Sequence, residues 1–151
     1  MRIRLASLED TAAISSCVAE AYQGYVRRIG RPPASMERDF RSDIDQGNVY
    51  VCESAGEIVG IMVVRECPDH VEVSSLAVRP NSQRQGFGRS LMSVAEGRAS
   101  SRGLSAVRLY TNAALPEVVR YYERLGYVQY DRRTDDGYDR VFFEKDVGAT
   151  A

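Results

Sequence analysis

The 151-residue sequence contains no tryptophan, one histidine and one lysine. The lone histidine, His70, leaves little room for mechanisms built on the commonest acid–base side chain. With Lys145 as the sole lysine, almost every cation is an arginine, which stays charged and grips phosphates and carboxylates with forked contacts. The cations do not cluster. Lys and Arg number 20 against 21 Asp and Glu, net −1, so the footprint of a generic nucleic-acid binder is missing. No apolar run approaches the ~18 residues of a membrane span, and the early arginines have no apolar stretch behind them. Neither membrane association nor a secretory signal is expected, and the reading is cytoplasmic. The three cysteines, Cys17, Cys52 and Cys67, are an odd, scattered set that suits a reducing compartment. Cys67-x-x-His70 has a ligand-like gap, but no Cys-x-x-Cys accompanies it. Cys52 sits in the strand-like run Val49-Tyr-Val-Cys52, where a thiol packs as a small apolar group, so no metal is expected.

What is present is periodicity. Residues 2–5 alternate as a short strand. Ser7 opens a helix with Asp10 at the capping-box position and Ile14, Val18 and Tyr22 on one face, running to about Tyr25. The stretch 27–35, with Gly30, Pro32 and Pro33, breaks it, and a second helix is expected over 35–45, stopping at Gly47. Strands over 48–53 and 57–65 flank a hairpin turn at Ser54-Ala-Gly56, and a third strand covers 71–78. Phe87, Leu91, Val94, Ala95 and Ala99 then recur at helical spacing, with Gly103 closing that helix. A strand over 107–111 leads to a helix over 115–125, with Pro116 in its first turn and Gly126 just past its end. Strands over 127–131 and 138–145 finish the chain around Thr134-Asp-Asp-Gly137. The order is β-α-α-β-β-β-α-β-α-β-β, with a right-handed parallel crossover over 71–111. This predicts an α/β fold with an α+β mixed sheet, one domain over 1–147 and a frayed tail over 148–151.

The stretch that carries chemistry is Val78-Arg-Pro-Asn-Ser-Gln83-Arg84-Gln85-Gly86-Phe87-Gly88-Arg89. A strand ends, a loop follows, and two glycines open an amphipathic helix. Free N–H groups at a helix N-terminus, with the dipole behind them, bind anions, and glycines let a phosphate approach the main chain. A Walker loop would need a lysine, and none is near. A dinucleotide fold would need a third glycine where Leu91 stands, and would place the motif after the first strand.

Gln83-Arg-Gln-Gly86-Phe-Gly88 fits the pattern Gln/Arg-x-x-Gly-x-Gly/Ala. With Leu76-Ala77-Val78-Arg-Pro80 before it and Tyr121-Tyr122-Glu-Arg-Leu-Gly126-Tyr127 after it, the sequence resembles the GNAT family of N-acetyltransferases over nearly its whole length. The resemblance implies a GNAT-like acyl-CoA N-acyltransferase fold. It also implies transfer of an acetyl group from acetyl-CoA to a primary amine of a small molecule, by direct attack in a ternary complex. It places cofactor contacts at Leu76, Ala77 and Val78, with the main chain of Leu76 and Val78 offered to the pantetheine arm. Gln83, Arg84, Gln85, Gly86, Phe87, Gly88 and Arg89 would surround the pyrophosphate. The strands over 71–78 and 107–111 would splay apart. Many members carry an asparagine where Val118 stands here, and Asn112 is the nearby candidate for its cofactor contact.

Tyr122, four residues before Gly126, occupies the family position of the general acid that protonates the departing thiolate and also touches the cofactor. Tyr121 points about 100° away on the same helix. A phenol of reference pKa near 10 is protonated at neutral pH and can donate to a thiolate whose acid has a pKa of about 8.5. Glu72 resembles the position of a glutamate base, although its alternation with Val71 and Val73 equally fits a solvated strand face. Ser74 and Ser75 would alternatively orient a water. The family's acceptor pocket is built by the first two helices, where this chain has Tyr22, Tyr25, Arg27, Arg28 and Arg31, either a reader of an anionic acceptor group or a solvated arginine loop. The competing functions are a protein or peptide N-acetyltransferase and a non-catalytic acyl-CoA sensor. A homodimer through the C-terminal strands is expected, because Val141, Phe142 and Phe143 offer apolar surface on both faces.

Overall fold

The alternating and helical periods become a mixed α/β fold in the computed structural model, which describes residues 1–33, 36 and 38–148. The strands are β1 (Arg2–Leu5), β2 (Val49–Ser54), β3 (Glu57–Glu66), β4 (His70–Val78), β5 (Ala106–Asn112), β6 (Val128–Asp135) and β7 (Tyr138–Asp146). The helices are α1 (Thr11–Tyr22), α2 (Val26–Ile29), α3 (Arg41–Asp45), α4 (Phe87–Ser101) and α5 (Pro116–Arg124). The strands hydrogen-bond in the order β1-β2-β3-β4-β5-β7-β6. Contacts group the chain into two compact units, Met1–Val64 with Ser75–Ser93 and Arg65–Ser74 with Val94–Ala151. The chain passes from one to the other within β3, β4 and α4.

In the first unit, β1, β2 and β3 pair antiparallel, from Arg2 opposite Glu53 to Val49 opposite Val63. The β2–β3 turn falls on Ala55 and Gly56, both at positive φ (53° and 79°), as a two-residue turn matched to strand twist requires. Ile14, Cys17 and Val18 of α1 pack with Phe40, Ile44, Val51, Ile61, Val63 and Ala77 in a buried core. Gly60 lets α4 in close. A Cβ there would stand 3.3 Å from Leu91 Cδ1 and 3.4 Å from the Ala77 carbonyl oxygen.

The first helix differs from its sequence expectation. α1 stops at Tyr22, a 3-10 turn covers Gln23–Tyr25, and α2 continues to Ile29 before Gly30, at φ 91°, ends it. Arg27 and Arg28 therefore stand in a helical turn and not in the breaking loop. The second helix shrinks to Arg41–Asp45, where the Arg41 N–H donates to Asp39 Oδ1 at 3.1 Å. Its expected start at Ser35, and the tail over 149–151, lie outside the described residues.

In the second unit, β4 and β5 pair in parallel from His70 opposite Ala106 to Val73 opposite Leu109. β7 joins β5 and β6 antiparallel. The β6–β7 hairpin turns on Asp136 and Gly137, again both at positive φ, which lets β6 run to Asp135, four residues past its expected end. Glu96 accepts from the Tyr127 hydroxyl at 2.8 Å and from Lys145 Nζ at 3.2 Å, and Lys145 also donates to the Leu125 carbonyl at 3.0 Å. The sole lysine thus fastens β7 to α4 and to the residue after α5. The expected apolar surface on β7 is not there. Val141, Phe142 and Phe143 are 5%, 7% and 0% exposed, with Phe142 covered by the Tyr110 and Tyr130 rings and by the Arg133 guanidinium at 3.8 Å. These three residues supply no surface for a homodimer.

The start of the fold is stitched by charge. Arg4 holds Asp10 through two hydrogen bonds (2.8 and 3.0 Å) and Glu53 at 2.6 Å, while Asp10 also accepts from the Ser7 N–H at 2.8 Å. The Arg4 hydrogen bond outweighs partial burial and holds the Asp10 carboxyl at about 2, down from 3.8. A depressed folded-state pKa stabilises above the unfolded value, and that contribution is lost as pH falls through the folded one. Asp10→Asn is expected to lower stability at neutral pH, with the gap to wild type narrowing between about pH 4 and pH 2. Urea unfolding across that range is the check, and a gap of constant size would remove the ion pair as its cause.

Candidate functional site

Polar main-chain groups left without strand or helix partners mark the first part of the site. After Val78 a 3-10 turn over Pro80–Ser82 leads to an exposed loop, Gln83 to Gly86, in which Arg84 and Gly86 take positive φ (66° and 87°). At Gly86 nothing lies within 4 Å of where a Cβ would project. The first helical bond of α4 runs from the Ser90 N–H to the Gly86 carbonyl at 3.0 Å, so the N–H groups of Phe87, Gly88 and Arg89 precede the helical ladder. α4 has 15 residues, long enough for its dipole to favour an anion there. Phe87 is buried and roots the helix, while Arg84 and Arg89 are exposed and, among the described residues, have no ion-pair partner.

The second part is the free edge of β4. The Arg79 N–H donates to the Val59 carbonyl of β3 at 2.8 Å. Main-chain groups alternate in direction along a strand, so those of Leu76 and Val78 turn to the opposite edge. The register with β5 stops at Val73, while β4 runs on to Val78 and β5 to Asn112. Two side chains cap the outward carbonyls. The Tyr22 hydroxyl of α1 donates to Leu76 O at 2.5 Å, and Gln83 Nε2 donates to Val78 O at 3.0 Å. Burial pushes the Tyr22 phenol up to about 12, opposed by the neighbouring Ser75 side chain and Leu76 main chain. Its ring lies 5.8 Å from that of Tyr25. Arg79 anchors the loop entry, donating to Ile58 O at 2.9 Å, Glu20 at 2.6 Å and, at 3.4 Å, to both Ser16 Oγ and Ala13 O.

The remaining sequence candidates fall in the second unit. Glu72 accepts from Arg65 at 3.2 Å, and its side chain is 26% exposed, so the strand-face carboxylate is ion-paired. Asn112 ends β5. Its Oδ1 accepts from the Ala114 N–H at 2.8 Å and its carbonyl from the Leu115 N–H at 3.0 Å, which sets the turn into α5. Tyr122 is buried on α5, edge-on to Tyr121 and Tyr127 and 6.4 Å from the Phe143 ring centre. Its carbonyl accepts from the N–H groups of Leu125 and Tyr127, closing the helix at Gly126.

Among the acceptor candidates, Arg27, Arg28 and Arg31 are exposed around the end of α2, and Tyr25 is half-buried. Tyr22 stands apart from them, because its hydroxyl proton is directed to β4. Sequence reasoning missed this bond and also the anchoring by Arg79. The only signal for the second was the position of Arg79 between strand and loop. Among the described residues no group of three or more His, Cys, Asp or Glu could hold a metal ion, and His70 Nδ1 is instead 2.7 Å from Asp69. No helix among them is long and apolar enough to cross a membrane.

The family model described as "Acetyltransferase (GNAT) family" matches residues 16–127. A mycothiol acetyltransferase of Streptomyces scabiei is 37% identical over 137 residues, covering 82% of this chain and 41% of the relative. That of Thermomonospora curvata is 32% identical over 87 residues, covering 57% and 29%. The chain therefore spans less than half the length of these relatives. Among solved structures, PaiA N-acetyltransferase of Thermoplasma acidophilum in complex with coenzyme A superposes with a TM-score of 0.81 at 18% identity, covering 96% of this chain and 98% of that one. The ribosomal-protein-alanine N-acetyltransferase of Escherichia coli does so with a TM-score of 0.79 at 20% identity, covering 99% and 96%. At such identities these structures speak for the fold alone.

The Asn112 turn makes a separable prediction. Asn112→Ala is expected to lower unfolding stability by about 1 kcal/mol, the usual effect of losing a side-chain acceptor at a helix entry, whereas Asn112→Asp keeps the acceptor and should stay near wild type. Denaturant unfolding of both variants decides it; equal losses would rule out the turn as what Asn112 supports.

Proposed function

The chain belongs to the GNAT acetyltransferase family, and from that membership we propose that it is an N-acetyltransferase that takes acetyl-CoA as donor and a primary amine of a small molecule as acceptor. The observation that carries the reading is the exposed Gln83–Gly86 loop. It runs into the unladdered N–H groups of α4, beside a β4 edge whose Leu76 and Val78 N–H groups face outward. A pyrophosphate fits the first, an amide-bearing arm the second, and both features lie in the same unit.

Amide formation from a thioester needs the amine neutral and the thiolate protonated. An alkylammonium has a reference pKa of about 10.4 and a thiol about 8.5, so removing the amine proton is the harder task at neutral pH. Glu72, hydrogen-bonded by Arg65, is the proposed base, and Tyr122 the proposed acid that also touches the donor. Asn112 would add its amide N–H₂ to the donor, since its oxygen is engaged by Ala114. Arg27, Arg28 and Arg31 would read an anionic group on the acceptor, with Tyr25 as a wall. The relatives' name, mycothiol acetyltransferase, supports a small-molecule acceptor over a protein one. A cytoplasmic setting matches the supply of acetyl-CoA.

Calorimetry with acetyl-CoA tests the donor site. Gly86 requires a left-handed backbone, so its replacement mixes strain with steric block. Gly88 lies in the first turn of α4 without positive φ and is the cleaner position. Gly88→Val, folded by circular dichroism, is expected to lose at least about tenfold in acetyl-CoA affinity, because a branched side chain would crowd the anion at the N–H groups. Unchanged affinity would overturn the loop assignment.

Tyr122→Phe keeps the buried ring and removes the hydroxyl. With an accepting amine in hand, kcat should fall by roughly 10²-fold or more while acetyl-CoA affinity stays within a few-fold, and Tyr121→Phe should be nearly silent. Normal turnover by Tyr122→Phe with chemistry rate-limiting would remove it as the acid.

A further inference from the structure

A strand edge that has lost its neighbour shows alternating donors and acceptors, yet the free edge of β4 is not alternating in practice. Both outward carbonyls are already occupied, Leu76 O by the Tyr22 hydroxyl at 2.5 Å and Val78 O by Gln83 Nε2 at 3.0 Å. What remains along Leu76 and Val78 is a pair of N–H donors. On such an edge the two N–H groups are the main-chain groups without a side-chain partner, so it offers most to an incoming carbonyl oxygen.

We infer that Tyr22 is a positioning residue for the acyl donor: its hydroxyl holds the Leu76 carbonyl and with it the extended backbone of Leu76, so that the Leu76 N–H on the same strand edge is aimed at a carbonyl of the donor's thioester or pantetheine arm. The inference rests on the acetyl-CoA reading above and gives Tyr22 a role other than acceptor recognition. Three observations support it. The hydroxyl reaches across from α1 to a main-chain atom 54 residues away, a contact that holds one peptide plane and not a side chain. The Tyr22 ring is braced by Tyr25. Beside it, Ser75 Oγ is buried with no hydrogen bond of its own, while the Tyr22 oxygen, donating to Leu76, still has lone pairs to accept one. A modest rotation of the Ser75 hydroxyl would extend the chain Ser75–Tyr22–Leu76. With its carbonyl pinned, Leu76 keeps its extended backbone torsions, and its N–H stays on the same edge, so the donor meets a pre-set geometry. With its phenol pushed up to about 12, Tyr22 remains a donor at every pH at which the protein would work.

The test compares two ligands on one variant. Tyr22→Phe keeps the ring stack and deletes the hydroxyl. By calorimetry, acetyl-CoA should bind about five- to tenfold more weakly than to wild type, the effect of one lost hydrogen bond. Phosphoadenosine diphosphate, the nucleotide end of the donor without its pantetheine arm, should bind as before, because it meets only the loop at α4. A general loosening of the unit would weaken both ligands alike. Equal losses for the two ligands, or unchanged acetyl-CoA affinity, would overturn the inference while leaving the donor reading intact. A wild-type protein that binds neither ligand would instead sink the donor reading and this inference with it.

Discussion

The stretch between β4 and α4 is organised around a strand edge that β5 leaves after Val73. Main-chain amides must be satisfied, and β4 is satisfied on one side by β3 along its length but by β5 only through Val73. Beyond that point the edge needs other partners, and side chains supply them for the carbonyls alone. Tyr22 comes from α1, Gln83 from the loop just downstream, and Arg79 between them ties the same stretch to β3 and α1. The glycine loop then begins from a fixed point. The Arg79 hydrogen bonds on one side of the loop and the buried Phe87 on the other hold its ends and leave Gln83 to Gly86 exposed between them.

Much of this was legible in the sequence, for identifiable reasons. Strands with a period of two and helices with a period of 3.6 announce themselves, so β2, β3, β4, α4 and α5 fall within a residue or two of expectation. The loop between β4 and α4 was legible because two glycines stand between a strand period and a helical one, and Gly86 takes a positive φ there. The failures are equally physical. The Arg27–Arg28 stretch reads as the start of a break because the prolines and glycine near it are strong signals, yet only Gly30 has to leave the helical region. Val141, Phe142 and Phe143 read as surface because a sequence cannot show that Arg133 and two tyrosine rings fold over Phe142. The Tyr22–Leu76 bond was illegible in principle, since a side chain aimed at a main-chain atom leaves no pattern in residue types.

Composition and structure meet in the tyrosines. Nine of them accompany one histidine and one lysine, and two of the phenols make polar contacts inside the fold. Tyr22 donates to a peptide carbonyl, and Tyr127 donates to Glu96 while burial and that carboxylate push its phenol well above the usual range. A buried histidine in either place would change charge near neutrality and alternate between donor and acceptor. A buried phenol does neither. Burial disfavours the phenolate, so desolvation, which weakens most ionisable donors, makes these two more dependable. Backbone N–H groups and neutral buried phenols keep their hydrogen-bond polarity across the neutral range, which a histidine in the same places would not.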